Sequence, residues 1–114
     1  MDIQDAPITT QSIEGGYRIA LIGGVHTNTA WIERELKQVA IAAPKQVELD
    51  LSQCDFMSSS GIGVLMAFYN TLKQAGGGPI EITAIQKNVL GSLKFSRLDT
   101  LFKISPEVLA AAKN

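Results

Sequence analysis

Cysteine is almost missing from this chain. Cys54 is the only one in 114 residues, which excludes an intramolecular disulfide and suits a reducing compartment. Histidine is equally scarce, with His26 alone, and one histidine beside one cysteine does not make a zinc site. Neither a metal nor a cofactor is expected. An excess of charge of one sign is also lacking. Ten basic against eleven acidic side chains leave a formal net charge of -1, so the chain has no electrostatic footprint for nucleic acid. No apolar run approaches the roughly 20 residues that span a bilayer. The opening Met1-Asp-Ile-Gln-Asp-Ala-Pro-Ile8 has neither the basic nor the apolar region of a signal peptide. The expectation is a cytoplasmic protein with no membrane insertion.

What is present is a globular composition. Apolar residues make up 46% of the chain and charged residues 18%, enough for a core and too little charge for disorder. The length fits one domain, residues 1–114, with residues 1–7 polar and loose. Ile8–Ile13 and Tyr17–Ile22 read as strands joined through Glu14-Gly15-Gly16, a hairpin with an outer edge strand. A helix follows, capped by Asn28 or Thr29. Ile32, Leu36, Val39 and Ala40 lie on one face, Glu33 and Lys37 form an i,i+4 pair, and Pro44 is the stop. Trp31 is assigned to the core. Gln46–Leu51 alternates with period two and reads as a central strand.

The next helix carries Ile62, Leu65, Met66, Tyr69 and Leu72 as its apolar stripe and ends at Gly76-Gly77-Gly78-Pro79. Ile80–Ile85 is a further strand. Asn88 is a candidate cap for a helix with Val89, Leu90 and Leu93 inside. Thr100–Ile104 reads as a short fifth strand, and Ser105-Pro106-Glu107 opens a terminal helix. The order β-β-α-β-α-β-α-β-α implies an α/β fold with a mixed sheet of four or five strands. About four helices are expected, mainly on one face, because right-handed crossovers stack them there. Loops at the carboxyl ends of strands form the functional edge of such sheets, which brings Gly23–Thr29 and Ser52–Ser60 together.

The chemistry concentrates where the central strand meets the long helix, at Ser58-Ser59-Ser60-Gly61. Serines at a helix entrance satisfy first-turn N–H groups. They also place hydroxyls at the positive end of the dipole, where an added anion is welcome. Other readings are poorer. A serine hydrolase wants Gly-x-Ser-x-Gly with a histidine and an acid, but Met57 takes the first glycine position for Ser59. A dinucleotide fingerprint starting at Gly61-x-Gly63 wants a third glycine where Met66 stands; the glycines are instead expected to permit close packing. His26 and Cys54 read as a loop residue and a buried strand-end residue. No catalytic residue is assigned.

Val47-Glu-Leu-Asp-Leu-Ser-Gln-Cys-Asp-Phe-Met-Ser-Ser-Ser-Gly-Ile-Gly-Val-Leu65 resembles the central motif of the STAS domain, the family of bacterial anti-sigma factor antagonists. Leu21-Ile-Gly-Gly24 and Gly76-Gly-Gly-x-Ile-Glu-Ile82 fit the same pattern. The resemblance implies a phosphorylation-switched binding protein, not an enzyme. The acceptor would be Ser59, and Ser58, which stands where the family usually has Asp, is the lesser candidate. The resemblance also implies a partner surface of His26, Thr27, Asn28, Ser58, Ser59, Ser60, Gly61 and Ile62. The implied partners are an anti-sigma factor with serine kinase activity and a PP2C-type phosphatase. Where the family often has an apolar residue and Asp, this chain has His26 and Thr27. The alternative is an unphosphorylated STAS scaffold subunit of a transport or signalling complex. The oligomeric state stays open between monomer and weak homodimer.

Overall fold

The computed structural model describes residues 7–112. Of the N-terminal stretch expected to be loose, residues 1–6 lie outside the described residues. Pro7 is tied in, its C=O accepting from the Ile22 N–H at 2.9 Å. The elements are β1 (Ile8–Ile13), β2 (Gly16–Leu21), β3 (Gly24–Val25), α1 (Ala30–Ile41), β4 (Gln46–Leu51), β5 (Phe56–Met57), α2 (Ser59–Gln74), β6 (Ile80–Ile85), α3 (Lys87–Phe95), a single 3-10 turn (Leu98–Thr100), β7 (Lys103–Ile104) and α4 (Pro106–Ala111).

Five strands form one sheet in the order β1-β2-β4-β6-β7. β1 and β2 are the antiparallel hairpin, and β2, β4, β6 and β7 run parallel. The sheet is therefore mixed, β1 is its outer edge and β4 is central, as the patterning predicts. From β2 onward the chain crosses the sheet in one direction, so right-handed crossovers carry α1, α2 and α3 onto the same face. That face holds the core. Ile19 and Leu21, Val47, Leu49 and Leu51, and Ile80, Ile82 and Ile85 are buried there. Against them lie Ile32, Leu36 and Val39 of α1, Leu65, Phe68 and Leu72 of α2, and Val89, Leu90 and Leu93 of α3. The opposite face is polar. Arg18 and Glu48, cross-strand neighbours, form an ion pair at 2.9 Å there, an exposed contact of small energetic weight.

One irregularity keeps the core continuous. Ile82 pairs with Leu49, but Ala84 pairs with Asp50, so Thr83 is an inserted residue. This bulge returns Ile85 to the face of Ile80 and Ile82 despite the odd spacing. The end of α2 shows a complete Schellman arrangement: Gly77 N–H donates to Leu72 C=O at 2.9 Å and Gly76 N–H to Lys73 C=O at 3.1 Å. Gly76 has φ 85°, a conformation that favours glycine.

Several local expectations are corrected. Trp31 is 40% exposed, because it lies about 100° off the Ile32–Leu36–Val39 stripe. On α2, Phe68 is buried and Met66 is 38% exposed, so the stripe is centred one position differently. Thr29 is the N-cap of α1 but makes no side-chain cap bond; its hydroxyl donates to the Glu33 carboxylate at 2.7 Å. Among the described residues Glu33 makes no ion pair with Lys37, since its carboxylate is held at the helix N-terminus. The α3 cap position belongs to Gln86, and Asn88 is used elsewhere. The last strand is only Lys103–Ile104, since Thr100 ends the 3-10 turn and Leu101 and Phe102 form the bend that leads out of it. Ser105 caps α4 through the Val108 N–H at 3.2 Å, with Pro106 at the first turn, as read.

Leu49 lies at the centre of the central strand with no exposed surface. Leu49→Ala is expected to lower stability by about 2–5 kcal/mol through lost burial and a residual cavity. The urea unfolding midpoint of the purified variant measures this directly.

Candidate functional site

The sheet alone does not align the two loops at its carboxyl edge. A second, smaller sheet does: β3 and β5 pair in parallel, Gly24 with Phe56 and Val25 with Met57. Two-residue strands carry no readable period, which is why sequence patterning passes over them. Around this pair the loops are stitched by backbone bonds. Gly23 N–H donates to Gln53 C=O at 2.9 Å, Asp55 N–H to Gly23 C=O at 3.3 Å, and Ser58 N–H to Val25 C=O at 2.8 Å. From the other side, Gln86 donates to Ser52 C=O at 2.8 Å and Asn88 to Asp55 C=O at 2.6 Å. The loop before the serines is thus held by β3 and by the first turn of α3.

The three serines divide their work. Ser58 is the N-cap of α2, in extended backbone, and its hydroxyl accepts from the Gly61 N–H at 3.1 Å. The same hydroxyl donates to the His26 C=O at 2.6 Å, which ties the helix start to the other loop. Ser58 is therefore structurally committed. Ser59 and Ser60 are the first two helical residues and are exposed. The Ser58 cap takes the N–H of Gly61, and the N–H groups of Ser59 and Ser60 remain at the positive end of the dipole. No acidic side chain occupies the first turn. The local field there suits an anion.

Gly61 is buried, and a Cβ there would come within 2.5 Å of Met57 Sδ and 2.8 Å of Val25 Cγ1. This glycine is what lets the helix start press onto the small sheet. Gly63 differs from the expectation: a Cβ there meets nothing within 4 Å, so no packing demand explains it. Ile62 is half-buried against the core.

The remaining predicted residues separate. His26, Thr27 and Asn28 are all exposed in the β3–α1 loop. The His26 ring stacks on Phe56, centroids 4.9 Å apart, and only its backbone reaches Ser58. A base for a serine nucleophile is thus not provided by that ring. Phe56 is 44% exposed, so this stack is a surface feature of the site that the sequence reading missed. Cys54 is fully buried, its Sγ 3.4 Å from the Phe56 carbonyl oxygen. Burial pushes its thiol up from the ordinary value, with the Asp55 carboxylate adding to the rise and a backbone hydrogen bond at Phe56 opposing it. Such a thiol is a poor nucleophile. Among the described residues no cluster of side chains has the makings of a metal site.

Beside Ser59 the surface is concave. Met57, Ser59 and Ile62 form one wall of an open groove of about 570 Å³, with Gly91, Ser92 and Phe95 on the other. Phe95 was legible in principle, because it falls off the Val89–Leu90–Leu93 face of α3.

Comparison with known proteins places this geometry. A family model described as the STAS domain matches residues 24–111. The chain belongs to the STAS domain family. Solved structures with the same fold include an anti-sigma factor antagonist from Mycobacterium paratuberculosis, 24% identical with a TM-score of 0.71, covering 92% of this chain and 93% of that one. The anti-sigma factor antagonist SpoIIAA in its unphosphorylated form is 18% identical with a TM-score of 0.69, covering 91% and 92%. SpoIIAA in its phosphorylated form, described as a Bacillus cell fate determinant, is 18% identical with a TM-score of 0.61, covering 91% and 96%. The match extends to the hairpin, which lies outside the family model's own range. No helix among the described residues is long and apolar enough to cross a membrane.

Two outcomes follow from the site's packing. Ser58→Ala removes the cap and the bridge to His26 and is expected to cost about 0.5–2 kcal/mol, read from thermal or urea unfolding. Native protein is expected to react with a thiol-specific disulfide reagent far more slowly than unfolded protein, since Cys54 is buried and protonated; equal rates would contradict its placement.

Proposed function

We propose that the protein is an anti-sigma factor antagonist whose docking is switched by phosphorylation of Ser59. The observation that carries the reading is the contrast between two adjacent serines. Ser58 is consumed as cap and bridge, whereas Ser59 presents its hydroxyl from the first exposed residue of α2. The structural likeness to antagonists, one of them known in phosphorylated and unphosphorylated forms, supports the same reading. Ser58 in place of the family's usual Asp is compatible with it, because Ser and Asp are comparable N-cap residues.

Unphosphorylated, the protein binds an anti-sigma factor that is also a serine kinase, through the His26–Asn28 loop and the Ser58–Ile62 helix start. A phosphate on Ser59 adds roughly -1.5 to -2 charges. The helix N-terminus tolerates that charge, so the domain stays folded and only its surface changes. A partner presenting carboxylates is then repelled. Losing about 3–4 kcal/mol of binding weakens affinity a few hundredfold. A PP2C-type phosphatase in the same cytoplasmic compartment resets the switch. This is binding chemistry, with no catalytic role for the chain itself and no cofactor.

Ser59→Ala is expected to bind the partner constitutively and Ser59→Asp to bind it poorly, in a calorimetric or fluorescence titration with the anti-sigma factor. The Asp variant should be no less stable than wild type, since an acid in the first turn is favourable by about 0.3–1 kcal/mol. Equal affinity of both variants would remove the switch and leave the constitutive scaffold reading.

A further inference from the structure

Ser59 and Ser60 are adjacent in sequence and both exposed, yet they open onto different ground. One step along a helix turns the side chain by about 100°. Ser59 lines the groove toward α3, where every lining residue is uncharged. Ser60 lines a separate hollow of about 330 Å³ between α1 and α2, which it shares with Thr29 and Glu33. The two helices meet there because parallel β2 and β4 end at the same edge of the sheet, so α1 and α2 both begin at that edge.

Glu33 is the one charged residue lining this hollow. Its carboxylate is held in place. Oε2 accepts from the Thr29 hydroxyl at 2.7 Å, and Thr29 is buried at the N-terminus of α1. No counter-charge answers it at Ser60. Lys37, one turn along α1, lines the next stretch of the furrow with Glu33 and is not part of the Ser60 hollow, and neither Arg34 nor Glu35 lines it. The first turn of α2 itself carries no ionisable side chain.

We infer that Glu33 is a specificity-determining residue of the switch: its carboxylate makes Ser60 an unfavourable seat for a phosphate and leaves Ser59 as the favourable one. The inference rests on the reading of Ser59 as the modified residue, and it adds what separates that serine from its neighbour. The dipole at the start of α2 favours an anion on either serine to a similar degree. A carboxylate on a facing helix turn repels a phosphate by an energy of the same order, and it does so at Ser60 alone. At Ser59 the dipole acts unopposed, whereas at Ser60 the two effects largely cancel. The second ionisation of a phosphoserine, ordinarily near about pH 6, reports this balance. A helix N-terminus lowers its midpoint by favouring the dianion, and a neighbouring carboxylate raises it.

Phosphoserine installed by codon suppression at position 59 or at position 60 of the full-length protein tests this without a kinase. Phosphorus NMR titration should place the midpoint about 0.3–0.8 pH unit higher at 60 than at 59. Glu33→Gln removes the charge and keeps an oxygen for the Thr29 hydroxyl. It should bring the midpoint at 60 down by about that amount and leave the one at 59 within about 0.1 pH unit of its former value. A merely structural Glu33 would change the melting temperature and not this titration. Circular dichroism should show all four proteins folded. Equal midpoints at the two positions overturn the proposal, and so does a difference that survives Glu33→Gln. Failure of the Ser59 reading shows itself separately, as equal affinity of Ser59→Ala and Ser59→Asp for the anti-sigma factor, whatever the titrations give.

Discussion

One hydroxyl holds this surface together. Ser58 Oγ donates to the His26 carbonyl and accepts from the Gly61 N–H, so the start of α2 and the loop after β3 share a junction about the size of a single side chain. Everything displayed at this edge inherits its position from that junction: the exposed serines, the His26–Phe56 stack and the mouth of the groove. The junction in turn depends on the parallel alignment of β2 with β4, which delivers both loops to one edge. It depends also on the β3–β5 pair, which brings Val25 beside Met57. Gly61 completes it, since any side chain there would push the helix off this small sheet.

The arrangement separates rigidity from display. The fixed groups are the half-buried Ser58 and the buried Gly61 and Cys54. The displayed groups are Ser59 and Ser60 on α2, Phe56 and His26 at the loop tips, and Phe95 on α3. A charge placed at the first turn of α2 meets a favourable dipole and no acidic neighbour within that turn. It therefore changes what the surface offers without loosening what lies beneath. Placing the displayed residues on helix ends around a strand-anchored loop leaves them clear of the core packing.

Much was determined by the sequence alone. Alternation in Gln46–Leu51, helical spacing in Ile32–Ala40 and Val89–Leu93, and glycine and proline punctuation specify the element order and the core faces. They do so because burial periodicity is a local property of the chain. The family motif likewise marked the serine stretch. What only the tertiary structure decided arose from competition between distant groups. Thr83 bulges because β6 must match the register of β4. Trp31 and Phe95 remain in water because no neighbouring element covers their side of the helix. Asn88 holds the Asp55 carbonyl across 33 residues of sequence instead of capping its own helix. Ser58 and Ser59, alike in composition and adjacent in the chain, part ways for the same reason: one finds the His26 carbonyl within reach and the other faces solvent.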